Sequence, residues 1–296
     1  MRTALLFLSF ACTIHARTFC LTVAGKGGEE EYDQKFATWA QEIDKTMKAS
    51  GPDNVVETLY GADATRARVR SSLENIARQA TAQDALVVMF IGHGGFDGTD
   101  YKINLPGPDL SATELGSLLD RVPATRQLIV NMTSASGGSV HALLRPNRVL
   151  ITATKSGTEK NATVFARYWS EALRDASADS DKNEVITALE AYKFAEQKTK
   201  EFYETQKRLA TEHPVIDNGE PQGATAAGRF TLLRIGSVQR AAADPEKRAL
   251  LAKREQLEQQ IDNLKLQKIA IPPDEYKKQL STLLLDLART QAELDK

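Results

Sequence analysis

Residues 85–95, ALVVMFIGHGG, are the most informative segment of the sequence for the fold. Its first seven residues form an uninterrupted apolar run, which predicts a strand that is buried on both faces, as central strands of parallel sheets are. The run ends at Gly92, so that His93 and Gly94 follow at the strand's carboxyl end. The stretch therefore predicts a buried strand that delivers an imidazole into a glycine-rich turn.

Strands and helices alternate around this central strand. Apolar or β-branched runs predict further strands at 19–25, 55–61, 126–132 and 148–154. Helical spacing of apolar residues predicts helices at 31–49, 111–121, 161–175 and 184–209. A further helix is predicted through Val69, Leu73 and Ile76, with Asp63 and Thr65 before it as an N-terminal cap. This alternation predicts a three-layer α/β/α domain over residues 18–235, with a mostly parallel central sheet.

Three of the strand ends are polar and rich in glycine: residues 89–98, 130–139 and 152–161. In doubly wound sheets, functional groups gather outside the carboxyl ends of the strands. A histidine held there can act as a general base, and Gly94 lets backbone amides approach a substrate, as an oxyanion hole requires. The alternative is that His93 is an ordinary loop or capping residue.

The composition bears on binding to nucleic acids and membranes. The chain has 38 basic and 39 acidic residues, and this balance gives no support for nucleic-acid binding, which depends on neutralising phosphates. No segment after the first 16 residues is long and apolar enough to span a bilayer.

The first residues, MRTALLFLSFACTIHA, have the layout of a secretory signal: a basic start at Arg2, an apolar run and a small residue at Ala16. Residues 1–16 are therefore predicted to be a signal peptide, and the protein to be exported as a periplasmic or secreted protein. The alternative is a buried N-terminal strand. If the signal peptide is removed, Cys20 is the single remaining cysteine. Its apolar surroundings indicate a buried thiol rather than a nucleophile.

One strand ends in His93–Gly94, and about forty residues later a second strand ends in TSASGG (133–138). This layout resembles caspases and legumains, and in particular the bacterial caspase/legumain-like proteins. Three further stretches carry the same resemblance: VAGKGGEEEYDQKF, ITATKSGTEKNATVFARYW and EHPVIDNG. The resemblance covers roughly residues 18–235 and implies a caspase-like fold with His93, Gly94 and residue 134 as the catalytic positions.

Ser134 stands where that family has its nucleophilic cysteine. A thiol, with a pKa near 8.5, is ionised by a histidine at modest cost, whereas a serine hydroxyl needs a well-oriented base, usually with a carboxylate behind the imidazole. The resemblance therefore implies a catalytically degenerate homologue that binds protein or peptide. The alternative is an active hydrolase with Ser134 as nucleophile and His93 as base.

The segment DSDKNEVITALE, residues 179–190, has the ligand spacing of an EF-hand loop. Asp179, Asp181, Asn183, the Val185 carbonyl and Glu190 occupy the ligand positions, which predicts calcium binding. Glu184 replaces the glycine of the sharp turn. The alternative is a polar loop with a helix cap, and no cofactor is otherwise required.

Residues 244–296 are densely charged, with leucines at helical spacing on both sides of Pro272-Pro273. They predict a helical hairpin or short coiled coil, joined to the first domain by a linker at about 236–245. The hairpin either packs on its own domain or makes a homo-oligomer, and a scaffold working through it is a third functional hypothesis.

Overall fold

The computed structural model describes residues 16–217 and 223–296. In chain order, the strands are β1 Thr18–Ala24, β2 Asn54–Leu59, β3 Ala85–Ile91, β4 Gly94–Phe96, β5 Tyr101–Ile103, β6 Leu110–Ser111, β7 Arg126–Asn131, β8 Arg148–Thr152, β9 Val185–Thr187, β10 Val215–Asp217 and β11 Thr231–Arg234. The α-helices are α1 Glu30–Ala49, α2 Arg66–Gln79, α3 Ala112–Leu119, α4 Val140–Leu143, α5 Phe165–Ala172, α6 Ala188–Thr205, α7 Gly223–Gly228, α8 Gly236–Ala243, α9 Pro245–Leu266 and α10 Pro273–Leu294.

The central sheet has six strands in the order β10-β8-β7-β3-β1-β2. All neighbours are parallel except β10, which is antiparallel to β8. Every residue of β3 is buried, as its unbroken apolar run predicts. Because β3 and β7 are adjacent and parallel, their carboxyl ends open at the same edge of the sheet.

The two faces of the sheet are covered by different helices. Alternate residues of β3 enter two hydrophobic cores, with Val87 and Met89 in one and Val88 and Phe90 in the other. The first core includes residues of α1, α5 and α6, and the second includes residues of α2 and α3. The predicted three-layer α/β/α architecture with a mostly parallel sheet is confirmed.

The C-terminal helical hairpin is also confirmed, because α9 and α10 pack against each other. The predicted linker at 236–245 is wrong: residues Gly236–Ala243 form α8. The Glu184 carboxylate accepts hydrogen bonds from the amides of Ser237 and Val238, which stabilises the start of this short alanine-rich helix.

The predicted helix at 184–209 begins later than expected. Residues Val185–Thr187 form β9, which pairs with β11, and α6 starts at Ala188. Thr187 and Glu190 form a capping box that fixes this start.

The predicted signal peptide, residues 1–16, lies outside the described residues except for Ala16. Among the helices of the described ranges, none combines the length and hydropathy that a bilayer crossing needs.

Candidate functional site

His93 lies immediately beyond β3, and two aromatic side chains of α1 hold its ring. The centroids of Tyr32 and Phe36 are 5.2 and 5.3 Å from the imidazole centroid, and both contacts are edge-to-face. The ring is half-buried, so its orientation is fixed while one side remains accessible.

Ser134 follows β7, the neighbour of β3, and its side chain meets His93. The distance from His93 Nδ1 to Ser134 Oγ is 3.2 Å. The structure therefore brings together the two side chains that the resemblance to caspases and legumains predicted at the positions of the histidine and the nucleophile.

Burial lowers the pKa of His93 below its usual value, and this effect outweighs a backbone hydrogen bond with Gly27 and the charge of Asp33, which both raise it. The imidazole is therefore neutral near pH 7. The Gly27 hydrogen bond raises the pKa, which indicates that the Gly27 carbonyl accepts from a ring N–H of His93. In the tautomer with that proton away from Nδ1, Nδ1 can accept the proton of Ser134.

Gly27 and Asp33 are the parts of the site that the sequence analysis missed. Asp33 accepts a hydrogen bond of 2.6 Å from the Gly27 amide and so holds the loop after β1 under His93. Gly27 is necessary because a Cβ there would lie 2.6 Å from the Asp33 amide nitrogen. The only sequence signal was the glycine run 25–28 at the same edge of the sheet. Among the described residues, no carboxylate is hydrogen-bonded to the His93 ring.

A buried network of hydroxyl groups positions the Ser134 loop. Asn131 accepts a hydrogen bond of 2.8 Å from the Thr133 hydroxyl and donates one of 3.1 Å to Ser139. The Tyr101 hydroxyl makes a very short contact with the Thr133 hydroxyl. These bonds satisfy polar groups that would otherwise be costly to bury, and they fix the chain on both sides of Ser134.

The residue after Ser134 adopts an uncommon backbone conformation. Ala135 has a φ of 54°, in the left-handed region that non-glycine residues seldom occupy. Its amide donates a 2.8 Å hydrogen bond to the Glu159 carbonyl, which ties the turn to the loop after β8. Such strain is typical of functional sites, where the surrounding structure enforces it.

Gly94 lies against the same loop. A Cβ at Gly94 would overlap the Tyr101 hydroxyl and come within 2.9 Å of the Ser134 carbonyl oxygen. The His93 carbonyl accepts from the Asn104 amide, so Gly94 occupies a non-hydrogen-bonded position opposite Ile103 and its amide points away from β5. This amide is therefore not used in the β4–β5 ladder.

The loop after β8, the third glycine-containing strand end, contacts the Ser134 loop through Glu159. Its carboxylate pairs with His213 Nδ1 at 2.5 Å and accepts the His213 amide. The neighbouring Glu212 is buried and accepts from the amides of Val164 and Phe165, at the start of α5. Burial raises the pKa of Glu212 to about 7, so the segment before β10 is attached through a carboxyl group that titrates near neutrality.

The predicted calcium ligands are brought together only in part. Carboxylate oxygens of Asp179, Asp181 and Glu190 lie within 4.8 Å of one another. Burial, followed by the charge of Glu190, raises the pKa of Asp181. The Asn183 side chain donates to Asp181, and Val185 belongs to β9 rather than to the predicted exiting helix.

Glu184 takes the conformation that a glycine was expected to supply in this loop. Its φ is 62°, and its carboxylate is held at the start of α8. The oxygen set suits a hard cation such as calcium, and the calcium site stays a prediction.

No protein-family model matches this sequence, and neither does any curated protein. Solved structures similar to the chain include protein GSU0716 of Geobacter sulfurreducens, at 13% identity and a TM-score of 0.49, covering 71% of this chain and 97% of that one. Another is the initiator caspase Dronc of Drosophila, at 10% identity and a TM-score of 0.44, covering 68% of this chain and 78% of the caspase. At these values neither likeness carries an inference about activity, substrate or partners.

Proposed function

We propose that the chain is an exported caspase/legumain-like peptidase homologue that has lost its catalytic cysteine and binds a protein or peptide segment at the His93–Ser134 rim. The 3.2 Å contact between His93 Nδ1 and Ser134 Oγ, at the carboxyl ends of two adjacent parallel strands, is the observation that carries this proposal.

The atoms at the site support the proposed loss of catalysis. A cysteine beside a neutral imidazole transfers its proton at modest cost, and the resulting thiolate is a strong nucleophile. Serine is much less acidic, and a serine triad has a carboxylate that stabilises the imidazolium. Here the neutral backbone of Gly27 stands in the carboxylate's place, and Asp33 acts on the ring only through its charge.

The alternative is a serine hydrolase, and it is favoured by the neutral His93 and by the strained turn at Ala135. A fluorophosphonate probe separates the two proposals, because it labels only activated serines. We expect no label on Ser134 in the wild type. Labelling of Ser134 that disappears in His93→Ala would overturn the proposal and establish the hydrolase.

Peptide binding at the rim is tested with an array of short peptides and two glycine substitutions. Gly95 lies in β4, two residues after His93, and a Cβ there meets no atom within 4 Å, so Gly95→Trp adds a bulky side chain to the rim from an open position. Gly51 has equally open surroundings at a distant loop, and Gly51→Trp is the matched control. We expect Gly95→Trp to abolish binding and Gly51→Trp to preserve it; equal binding by both variants would exclude the rim.

A scaffold role for the hairpin is favoured by one observation. Leu284 and Leu285 on α10 remain 48% and 59% exposed after α10 has packed against α9. If the hairpin forms a homo-oligomer through this face, the double variant Leu284→Glu/Leu285→Glu reduces the particle mass in light scattering. An unchanged mass would exclude this face as the contact.

A further inference from the structure

The amino-terminal edge of the central sheet carries a cavity of about 250 Å³. It lies at the starts of β7 and β8, and α7 and the residues after it form its other wall. Arg126, Arg148 and Arg229 are among its lining residues, and no acidic residue lines it within the described part of the chain. Arg126 and Arg229 have no acidic partner within the described ranges, so the local charge is positive although the whole chain is nearly neutral.

One of the three arginines is already satisfied. The Arg148 guanidinium donates to the Gln127 side chain, the Leu143 carbonyl and the Asp120 carboxylate, at 2.9, 2.5 and 2.9 Å. Arg148 is buried and fixed, so it forms part of the cavity floor and does not need a further partner.

Arg229 has no such partners. Its Nε and Nη2 atoms are shielded from solvent and make no hydrogen bond with any described residue. Arg229 as a whole is half-buried, but these two donors are shielded and unpartnered. A guanidinium keeps its charge in a protein, and leaving its shielded donors unpaired costs free energy. Arg126 lines the opposite wall, is exposed, and has no acidic partner within the described ranges.

We propose that this cavity binds an oxyanion, a phosphate or carboxylate group of a small ligand, with Arg229 and Arg126 as its cationic contacts. The planar fork of a guanidinium matches two oxygens of either group. The volume admits inorganic phosphate or a small dicarboxylate rather than a polymer.

The site is separate from the peptide rim. Arg126 and Asn131 are the first and last residues of β7, so about 17 Å of strand lies between the cavity and the carboxyl edge that carries Ser134. The inference therefore stands independently of the proposed function.

Thermal unfolding of the full chain with inorganic phosphate, and separately with succinate, tests the site at matched ionic strength in sodium chloride. We expect the wild-type melting temperature to rise by about 2–4 °C at saturating anion, and the rise to disappear in Arg229→Met. Arg78→Met is the matched control, because Arg78 is an exposed arginine of α2 in the opposite helical layer, and it should keep the full rise. Without anion, Arg229→Met should fold at least as stably as the wild type, because it removes an unpaired charge.

No rise with either anion would overturn the proposal. An equal rise in the wild type and Arg229→Met would also overturn it, because that is the signature of anions excluded from the surface. A rise with phosphate alone, or with succinate alone, supports the site and identifies which of the two groups it takes.

Discussion

At the scale of single residues, the site depends on the burial of His93, on its contact with Ser134 and on two glycines that leave room for close contacts. His93 is kept neutral by burial and faces Ser134 through Nδ1. Gly94 and Gly27 lack side chains where backbone and hydroxyl groups come close. The His93–Ser134 pair could be predicted because it lies at strand ends, whereas Gly27 could not, since a backbone carbonyl leaves no side-chain signal.

Gly94 should be nearly irreplaceable for steric reasons. Gly94→Ala places a methyl group against the Tyr101 hydroxyl and the Ser134 carbonyl, and we expect a loss of about 1–3 kcal/mol in the free energy of unfolding. Urea denaturation measures this loss. Gly95→Ala, the adjacent control with open space around its Cβ, should change stability by less than about 1 kcal/mol; equal losses in both variants would contradict the packing described for Gly94.

Glu212 predicts a dependence of stability on pH. Its pKa of about 7 is above the unfolded value, so the folded protein binds the proton more tightly and stability falls as pH rises from about 4.5 to above 7. Glu212→Gln should flatten this part of the stability curve, as measured by urea denaturation at several pH values. Glu204→Gln, at an exposed residue of α6, is the control and should keep the wild-type slope. A wild-type slope retained by Glu212→Gln would contradict the assignment.

At the scale of elements, the long apolar or periodic segments were predictable and the short ones were not. The apolar runs of β3 and β7 form buried strands of the central sheet, so the apolar pattern alone was enough to predict them as strands. In contrast, β9 has three residues and exists because β11 pairs with it. The start of α8 depends on the side chain of Glu184, which is distant in sequence. The local sequence of residues 236–245 therefore does not indicate this helix.

The loop that precedes α6 brings together the carboxylates of Asp179, Asp181 and Glu190, and burial followed by the charge of Glu190 raises the pKa of Asp181. We expect calcium at about 1 mM to raise the melting temperature near pH 7.5 by about 2–4 °C, and the rise to shrink at low pH as the carboxyl groups take up protons. Asp181→Asn should lose the effect, and Asp63→Asn, at an exposed residue before α2, should keep it. A melting temperature that is unaffected by calcium would exclude the predicted site.

At the scale of the whole molecule, the helices of the hairpin pack on the α/β domain as well as on each other. Leu251 of α9 and Leu294 of α10 share a small core with Val185 and Val238. Arg234, the last residue of β11, donates a hydrogen bond of 2.7 Å to Glu255 of α9. The tail therefore covers apolar surface of its own chain.

Removal of residues 244–296 should expose that small core. We expect a lower melting temperature and greater binding of a hydrophobic dye by the truncated chain than by the full chain. Leu251→Ala in the full chain is the milder counterpart and should cost about 2–5 kcal/mol. An unchanged melting temperature after truncation would show that the hairpin does not stabilise the body.

The central claim is that the rim keeps the geometry of a cysteine-peptidase site and lacks the sulfur. It is tested most directly by Ser134→Cys, with the rate of iodoacetamide alkylation at residue 134 measured against pH by mass spectrometry. Cys20 is an internal control for burial, because Cys20 and Ser134 are 1% and 2% exposed and only residue 134 contacts His93. Burial without such a partner raises the pKa of the Cys20 thiol to about 12. The account predicts that Cys20 stays unmodified and that the new thiol ionises well below its usual pKa of about 8.5, returning to it when His93→Ala is added. An ionisation that is the same with and without His93 would contradict it.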